Sequence, residues 1–290
     1  MSGGPAGRPR DRGARVFLTV ALILTGGVGA GPARAADPVP AVVLFDEAHG
    51  QRFRASGNGP LDLSALSALF TSRGGAVRQS ATPLTPETLG RARVLIISGP
   101  FQPLSPAEIE AVVAWVGKGG TLGVMIHIEP PVGPLLHRFG VSVSNGVIRE
   151  KEGILGGEPL NFRVTRLKAH PLTRGLSGFA VYGAWALLPT MSDVEAVAET
   201  SPAAWVDLNR NQKLDEGDVR QAFAVVVAGK RGAGRLAVFG DDALFQNQFL
   251  KGDNRRLAEN LASWLLGDAA RPPGRPKKPD VVALSGEAAQ

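Results

Sequence analysis

The run Asp207-Leu208-Asn209-Arg210-Asn211-Gln212-Lys213-Leu214-Asp215-Glu216-Gly217-Asp218 places oxygen-bearing side chains at positions 1, 3, 5, 9 and 12 of a twelve-residue loop. Position 8 is the apolar Leu214. A hard divalent cation such as Ca2+ takes about six to eight oxygen ligands, and an EF-hand-type loop supplies them at this spacing, with a backbone carbonyl at position 7. The candidate ligands are therefore Asp207, Asn209, Asn211, Lys213 (through its carbonyl), Asp215 and Asp218. Two positions depart from the pattern: Gln212 stands where the sharp turn favours Gly, and Asp218 is shorter than the usual Glu. Pro202 and the β-like Ala203–Val206 argue against a flanking helix, so the loop is expected between strands, where a bound calcium would stiffen it rather than catalyse. The competing expectation is an Asx-rich polar turn that binds nothing.

A second set consists of short polar groups that follow apolar runs: Asp46, Glu47 and His49; Ser98 and Gly99; His127 and Glu129; Asp241, Asp242 and Asn247. Carboxylates and imidazoles together can bind a transition metal or perform general acid–base chemistry. Their spacing matches no zinc or metalloprotease signature, and there is no Gly-x-Ser-x-Gly elbow or phosphate-cradling glycine loop. Alternatively, Asp46 and Asp241 hydrogen-bond the amides of neighbouring loops. The stretch His170-Pro171-Leu172-Thr173-Arg174-Gly175-Leu176 reads as a Pro- and Gly-bounded turn that fixes a loop. Trp115, Trp185, Trp205 and Trp264 lie in apolar surroundings and are expected in the core.

The elements that must carry these groups are legible from hydrophobic periodicity. Ala41–Phe45, Val94–Ser98 and Thr121–Ile126 are short apolar runs, the pattern of strands buried on both faces. Leu61–Arg73 places Leu63, Leu66, Leu69 and Phe70 on one helical face, and residues 76–80 are a short edge strand. Ser105-Pro106-Ala107-Glu108 is a capping box for a helix whose Ile109, Val112, Val113 and Val116 share a face. Strand, helix and strand in this order imply parallel pairing with right-handed crossovers, and ligand sites in such sheets lie beyond the carboxyl ends of the strands. Residues 141–220 are β-like runs broken by Gly and Pro, with Asn145-Gly146 as a turn signal. They are expected to form a β-rich insertion flanking the parallel sheet. Gln221–Ala228 and Arg235–Gly240 return as strands, and Asp253 is expected to cap a final helix with Leu257, Leu261, Trp264 and Leu265 on its core face. The fold class expected is α/β, a doubly wound and mainly parallel sheet.

At the ends, Arg8, Arg10, Arg12 and Arg15 precede an apolar run Val16–Val28, too short to span a bilayer, and Ala33-Arg34-Ala35 matches a cleavage site. Residues 1–35 are thus expected to be a secretory signal peptide, and residues 268–290, with Arg271-Pro272-Pro273, a flexible tail. The domain between is expected at 38–267. The formal charge of +6 resides mostly in the leader, which carries five Arg against Asp11; the remainder is +2. That balance gives no support to a nucleic-acid-binding surface. The chain has no Cys, which excludes thiol mechanisms and disulfide staples.

Four stretches together, VVLFDEAHGQRF, RVLIISGPF with LSPAEIEAVVAWVGKGGTL, HPLTRGL, and RLAVFGDDALFQNQFLKGDNRRLAENLASWLL, resemble the glutamine-amidotransferase-like proteins known as domain of unknown function 4350. The resemblance implies a flavodoxin-like, class I amidotransferase-like fold. It cannot carry over the parent activity, whose nucleophile is a Cys. It implies a non-catalytic module with Asp46, His49, Asp241, Asp242 and Asn247 at a binding edge, joined by Glu47, Gly99 and His127 from the strand-end pattern. The function expected is an exported, periplasmic or extracellular binding or scaffold module of the cell envelope, without a stable membrane anchor. Its partner would be an envelope protein or a small polar ligand such as a carbohydrate. The alternative is a hydrolase or metal-dependent enzyme using Asp46, His49, His127 and Asp241.

Overall fold

The computed structural model describes residues 40–128 and 131–267. The expected leader, the expected tail and Glu129 lie outside them. In chain order the elements are β1 (Ala41–Asp46), α1 (Ser64–Ser72), β2 (Gly75–Ser80), α2 (Pro86–Leu89), β3 (Val94–Ser98), α3 (Pro106–Gly117), β4 (Thr121–Met125) and α4 (Gly133–Arg138). There follow β5 (Val141–Arg149), β6 (Ile154–Leu155), β7 (Glu158–Val164), β8 (Arg166–Leu167), β9 (Phe179–Tyr182), β10 (Trp185–Pro189), β11 (Val194–Glu199), β12 (Trp205–Val206) and β13 (Val219–Arg220). The chain closes with β14 (Ala224–Arg231), β15 (Gly234–Phe239) and α5 (Gly252–Leu266).

The protein is a mixed α/β structure built on one large sheet. Strands β2, β1, β3, β4 and β15 pair in parallel in that spatial order. Their side chains feed two hydrophobic layers. On one face Val43, Phe45, Val94 and Ile96 meet Leu66 and Phe70 of α1 and Leu257, Leu261 and Leu265 of α5. On the other, Leu44, Leu95, Ile97 and Val124 meet Leu89 of α2, Val112 and Val116 of α3 and Leu136 of α4. Strands covered on both faces read as continuous apolar runs, which is why β3 and β4 are buried at every position.

The sheet is not mainly parallel, as the sequence pattern had suggested. β14 turns back on β15 through Gly232 and pairs antiparallel to it, and β10, β5, β12 and β13 extend the same sheet outward by antiparallel pairing. Much of the region expected to flank the sheet as an insertion is instead its continuation; only β6, β7 and β9 form a separate three-stranded sheet. Asn145-Gly146 is not a turn but lies inside β5. A Cβ at Gly146 would sit 2.9 Å from the Asp207 carbonyl oxygen, so this glycine serves a close backbone approach. Asp253 does not cap α5; Lys251 holds that position, and Asp253 receives Arg163 at 2.5 Å.

Among the described residues no helix is long and apolar enough to cross a membrane.

Candidate functional site

The carboxyl ends of β1, β3, β4 and β15 carry the candidate groups, and the loops that follow them are joined to one another. The His49 carbonyl accepts the amides of Phe101 and Gln102, tying the loop after β1 to that after β3. The Phe101 ring lies 5.3 Å from the imidazole of His127, beyond β4, and Phe53 approaches the same imidazole at 5.0 Å. His127 Nδ1 is 3.0 Å from Asp242 Oδ1, beyond β15, and the His127 carbonyl accepts the indole N–H of Trp185 at 3.2 Å.

Within this edge His49 is enclosed between two carboxylates. Its Nδ1 lies 2.8 Å from Asp46 Oδ2 and its Nε2 lies 3.0 Å from Glu108 Oε1. Gln51 completes the group, donating to Asp46 Oδ2 at 2.6 Å and accepting the His49 amide at 2.8 Å. Burial opposes a charge on His49, but the hydrogen bond and charge of Asp46, with Glu108 beyond, raise its pKa above the ordinary 6.5. Burial likewise opposes ionisation of Glu108. The hydroxyl of Ser105, the amides of Leu84 and Ser105 and the charge of His49 prevail, and its pKa falls to about 2. Both ring nitrogens face carboxylates, an arrangement that favours the imidazolium form and leaves neither nitrogen free to act as a base.

Glu108 is the member that sequence reasoning assigned only to helix capping. The capping box is present: Ser105 Oγ accepts the Glu108 amide and Glu108 Oε2 accepts the Ser105 amide at 2.9 Å. A capping carboxylate needs only one oxygen for that task, so the second was available. Nothing local in the sequence shows where it points.

Other candidates stabilise the loops themselves. Glu47 accepts the Ala55 amide at 3.0 Å. Asp241 accepts the amides of Tyr182 at 2.7 Å and Ala243 at 2.8 Å. Burial, then the neighbouring Asp242 carboxylate, pushes Asp241 up to about 7 against those two amides. Asn247 accepts the Ala65 amide at 2.9 Å and donates to the Gly59 carbonyl and Ser64 Oγ. It thereby supplies from a distance the cap that α1, whose N-cap is Leu63, lacks.

His127 and Asp242 remain the pair with an open side. The side chain of His127 is 34% exposed while that of Asp242 is 1% exposed. The hydrogen bond that His127 donates to Asp242 raises the His127 pKa above 6.5, with burial opposing. Among the described residues Asp242 Oδ2 and Ser98 Oγ are buried without a hydrogen-bond partner. Gly99, at φ +53°, lets the backbone pass so close that a Cβ would sit 2.6 Å from Asp242 Oδ2. Arg52 lies 4.7 Å over the Phe101 ring, so the rim presents a cation, two aromatic rings and an imidazole.

The Asp207–Asp218 loop lies between β12 and β13. Asp207 accepts the amides of Asn211 at 3.1 Å and Gln212 at 2.8 Å, which bends the chain through positive φ at Arg210 and Gln212. Asp215 receives the side-chain amides of Asn209 and Asn211, the Lys213 amide goes to Asn211 Oδ1, and Asp218 accepts the amides of Leu208 and Asp215.

The sequence pattern of the family described as Domain of unknown function (DUF4350) matches residues 52–262. The chain belongs to this family. It is also 26% identical over 208 residues to the Intraflagellar transport protein 52 homolog of Mus musculus, covering 63% of this chain and 46% of that protein. The chain thus spans under half the length of that curated relative. The solved mouse IFT52 N-terminal domain superimposes with a TM-score of 0.62 at 20% identity, covering 78% of this chain and 98% of that one. A ThuA-like protein from Bacteroides uniformis gives 0.51 at 16% identity, covering 82% and 96%. At these identities the likeness is one of fold.

Proposed function

We propose that this member of the DUF4350 family is a non-catalytic, amidotransferase-like binding or scaffold module, exported to the periplasm or beyond, that holds a cell-envelope protein or a small polar ligand at its strand-end edge. The fold part is supported by the parallel order β2-β1-β3-β4-β15 with helices on both faces, the order expected of a flavodoxin-like sheet. The observation that carries the function is the closure of Asp46–His49–Glu108: the imidazole best placed at the strand ends has both nitrogens occupied by carboxylates. A general base needs a free lone pair within reach of a substrate. The chain contains no Cys, so an amidotransferase nucleophile is missing as well. What the edge does present is the rim of Arg52, Phe53, Phe101 and His127, a composition suited to docking. A binding role also suits a relative named for intraflagellar transport.

The second reading, a hydrolase or metal-dependent enzyme, draws on His127, whose half-exposed ring is oriented by buried Asp242 with the Ser98 hydroxyl buried at the same edge. Capture from native envelope extract separates the two. The wild-type chain should retain a partner that Phe101→Ala and His127→Ala lose while folding normally. Hydrolysis of ester, amide or glycoside probes that disappears in His127→Ala would replace the binding reading with the enzymatic one.

A calcium ion in the Asp207–Asp218 loop belongs to the proposal as a structural element. Fit comes from Asp207, Asn209, Asn211, Asp215 and Asp218 with the Lys213 carbonyl, on a chain already bent at positions 4 and 6. The ion would replace the side-chain amides that now face Asp215.

A further inference from the structure

Beside the strand-end edge a cavity of about 430 Å3 opens between the β5–β10 pair and the Asp207–Asp218 loop, within the size range of small-ligand sites. Its lining includes Asn145, Arg149, Trp185, Asp207, Arg210 and Gln212. Arg149 is the unusual member. Its side chain is 16% exposed, its Nε is buried without a hydrogen-bond partner among the described residues, and its guanidinium lies 5.7 Å over the Trp205 ring. Asp207 forms an ion pair with Nε at 3.7 Å, beyond hydrogen-bond distance, and both its oxygens already accept backbone amides of the loop. A buried Nε with no hydrogen-bond partner among the described residues is costly, because a charged donor loses strong hydration. Arg210 adds an exposed guanidinium, and Asn145 and Gln212 add side-chain amides, so among the described residues of the lining cations and donors outnumber the one carboxylate.

We propose that this cavity binds a small carboxylate-bearing molecule, with the Arg149 guanidinium as its anchor. A guanidinium fork matches the two oxygens of a carboxylate, and the indole of Trp185 with Val147 and Ile128 offers an apolar wall to the ligand's body. Phosphate, compact and without such a body, fits this lining less well. The cavity shares a wall with the proposed loop, since the same Asp207 that bends the loop holds Gln212 and faces Arg149. The inference deepens the binding-module reading by naming a ligand class, and it rests on that reading.

Titration of the purified chain with D-glucuronate, citrate and N-acetylglutamate tests it, with D-glucose and inorganic phosphate as comparisons. Calorimetry and tryptophan fluorescence provide the readouts. At least one carboxylate should bind at one site per chain, about tenfold or more tighter than glucose and phosphate. Arg149→Gln should remove that preference. Arg210→Asn, on the exposed loop and tolerant of positive φ, should weaken binding several-fold with unchanged melting temperature, and it decides the matter if Arg149→Gln does not fold. The proposal is overturned if no carboxylate exceeds glucose, if phosphate equals them, or if both variants bind as the wild type does. Loss of the carboxylate site with envelope capture intact overturns this inference alone. Consumption of a bound carboxylate, followed by NMR, overturns the non-catalytic reading instead.

Discussion

Glu108 divides its carboxylate between two tasks: Oε2 caps its own helix at Ser105, and Oε1 meets His49 Nε2 at 3.0 Å across 59 residues of sequence. A local helix signal and a long-range ion pair therefore share one side chain. Because His49 also holds Asp46, the loop after β1, the start of α3 and, through Leu84, the approach to α2 are fastened together.

This fastening should appear in the pH dependence of stability. His49 has a folded pKa above its ordinary 6.5, so its contribution is complete below that value and is lost as pH rises through the higher folded one. Glu108 falls from 4.5 to about 2, so its contribution is complete above 4.5 and is lost as pH falls toward 2. Both of these contributions are therefore complete between about 4.5 and 6.5, while Asp241, raised from 3.8 to about 7, opposes them as pH rises through that window, so the variant is to be compared with the wild type at each pH. Glu108→Ala, which strands a buried imidazolium, should cost about 3 kcal/mol or more near pH 6. Thermal unfolding of wild type and variant across the pH range checks this; equal curves would refute the pairing.

Gly99→Ala should destabilise the strand-end edge. The residue would have to occupy φ +53° and place its Cβ 2.6 Å from Asp242 Oδ2. The backbone conformation alone costs about 1–2 kcal/mol for a non-glycine residue, and displacement of Asp242 adds to it. The second signature is specific: the raised His127 pKa should fall toward its ordinary value, read by NMR titration.

Calcium should bind the Asp207–Asp218 loop with millimolar or better affinity, raise the melting temperature and protect the loop from proteolysis. Asp207→Ala with Asp215→Ala should abolish the calorimetric signal. Absence of heat with the wild-type chain would leave the loop as a polar turn closed by its own hydrogen bonds.

What could be read from the sequence follows the range of the interactions. β3, β4, the Ser105 capping box and the apolar faces of α1 and α5 were legible because each depends on neighbours within a few residues. The antiparallel half of the sheet was not, because β5 and β10 have no pattern that names their partners. Asn145-Gly146 misled for the same reason: the demand on Gly146 comes from Asp207, far along the chain. At the site, the strand-end residues were found by their position, but not their assignments. Asn247 sits at the edge, yet its hydrogen bonds cap α1. Glu108 was hidden behind a capping role that was itself correct. Arg149, inside a strand, gave no signal at all.

The central claim is that the strand-end imidazole is locked as a cation between Asp46 and Glu108 and unavailable for catalysis. Nitrogen-15 NMR of His49 tests it most directly. The account predicts both ring nitrogens protonated at pH 6 and a titration midpoint above 6.5, lowered in Glu108→Gln. A neutral His49 ring at pH 6, with one unprotonated nitrogen, would contradict it.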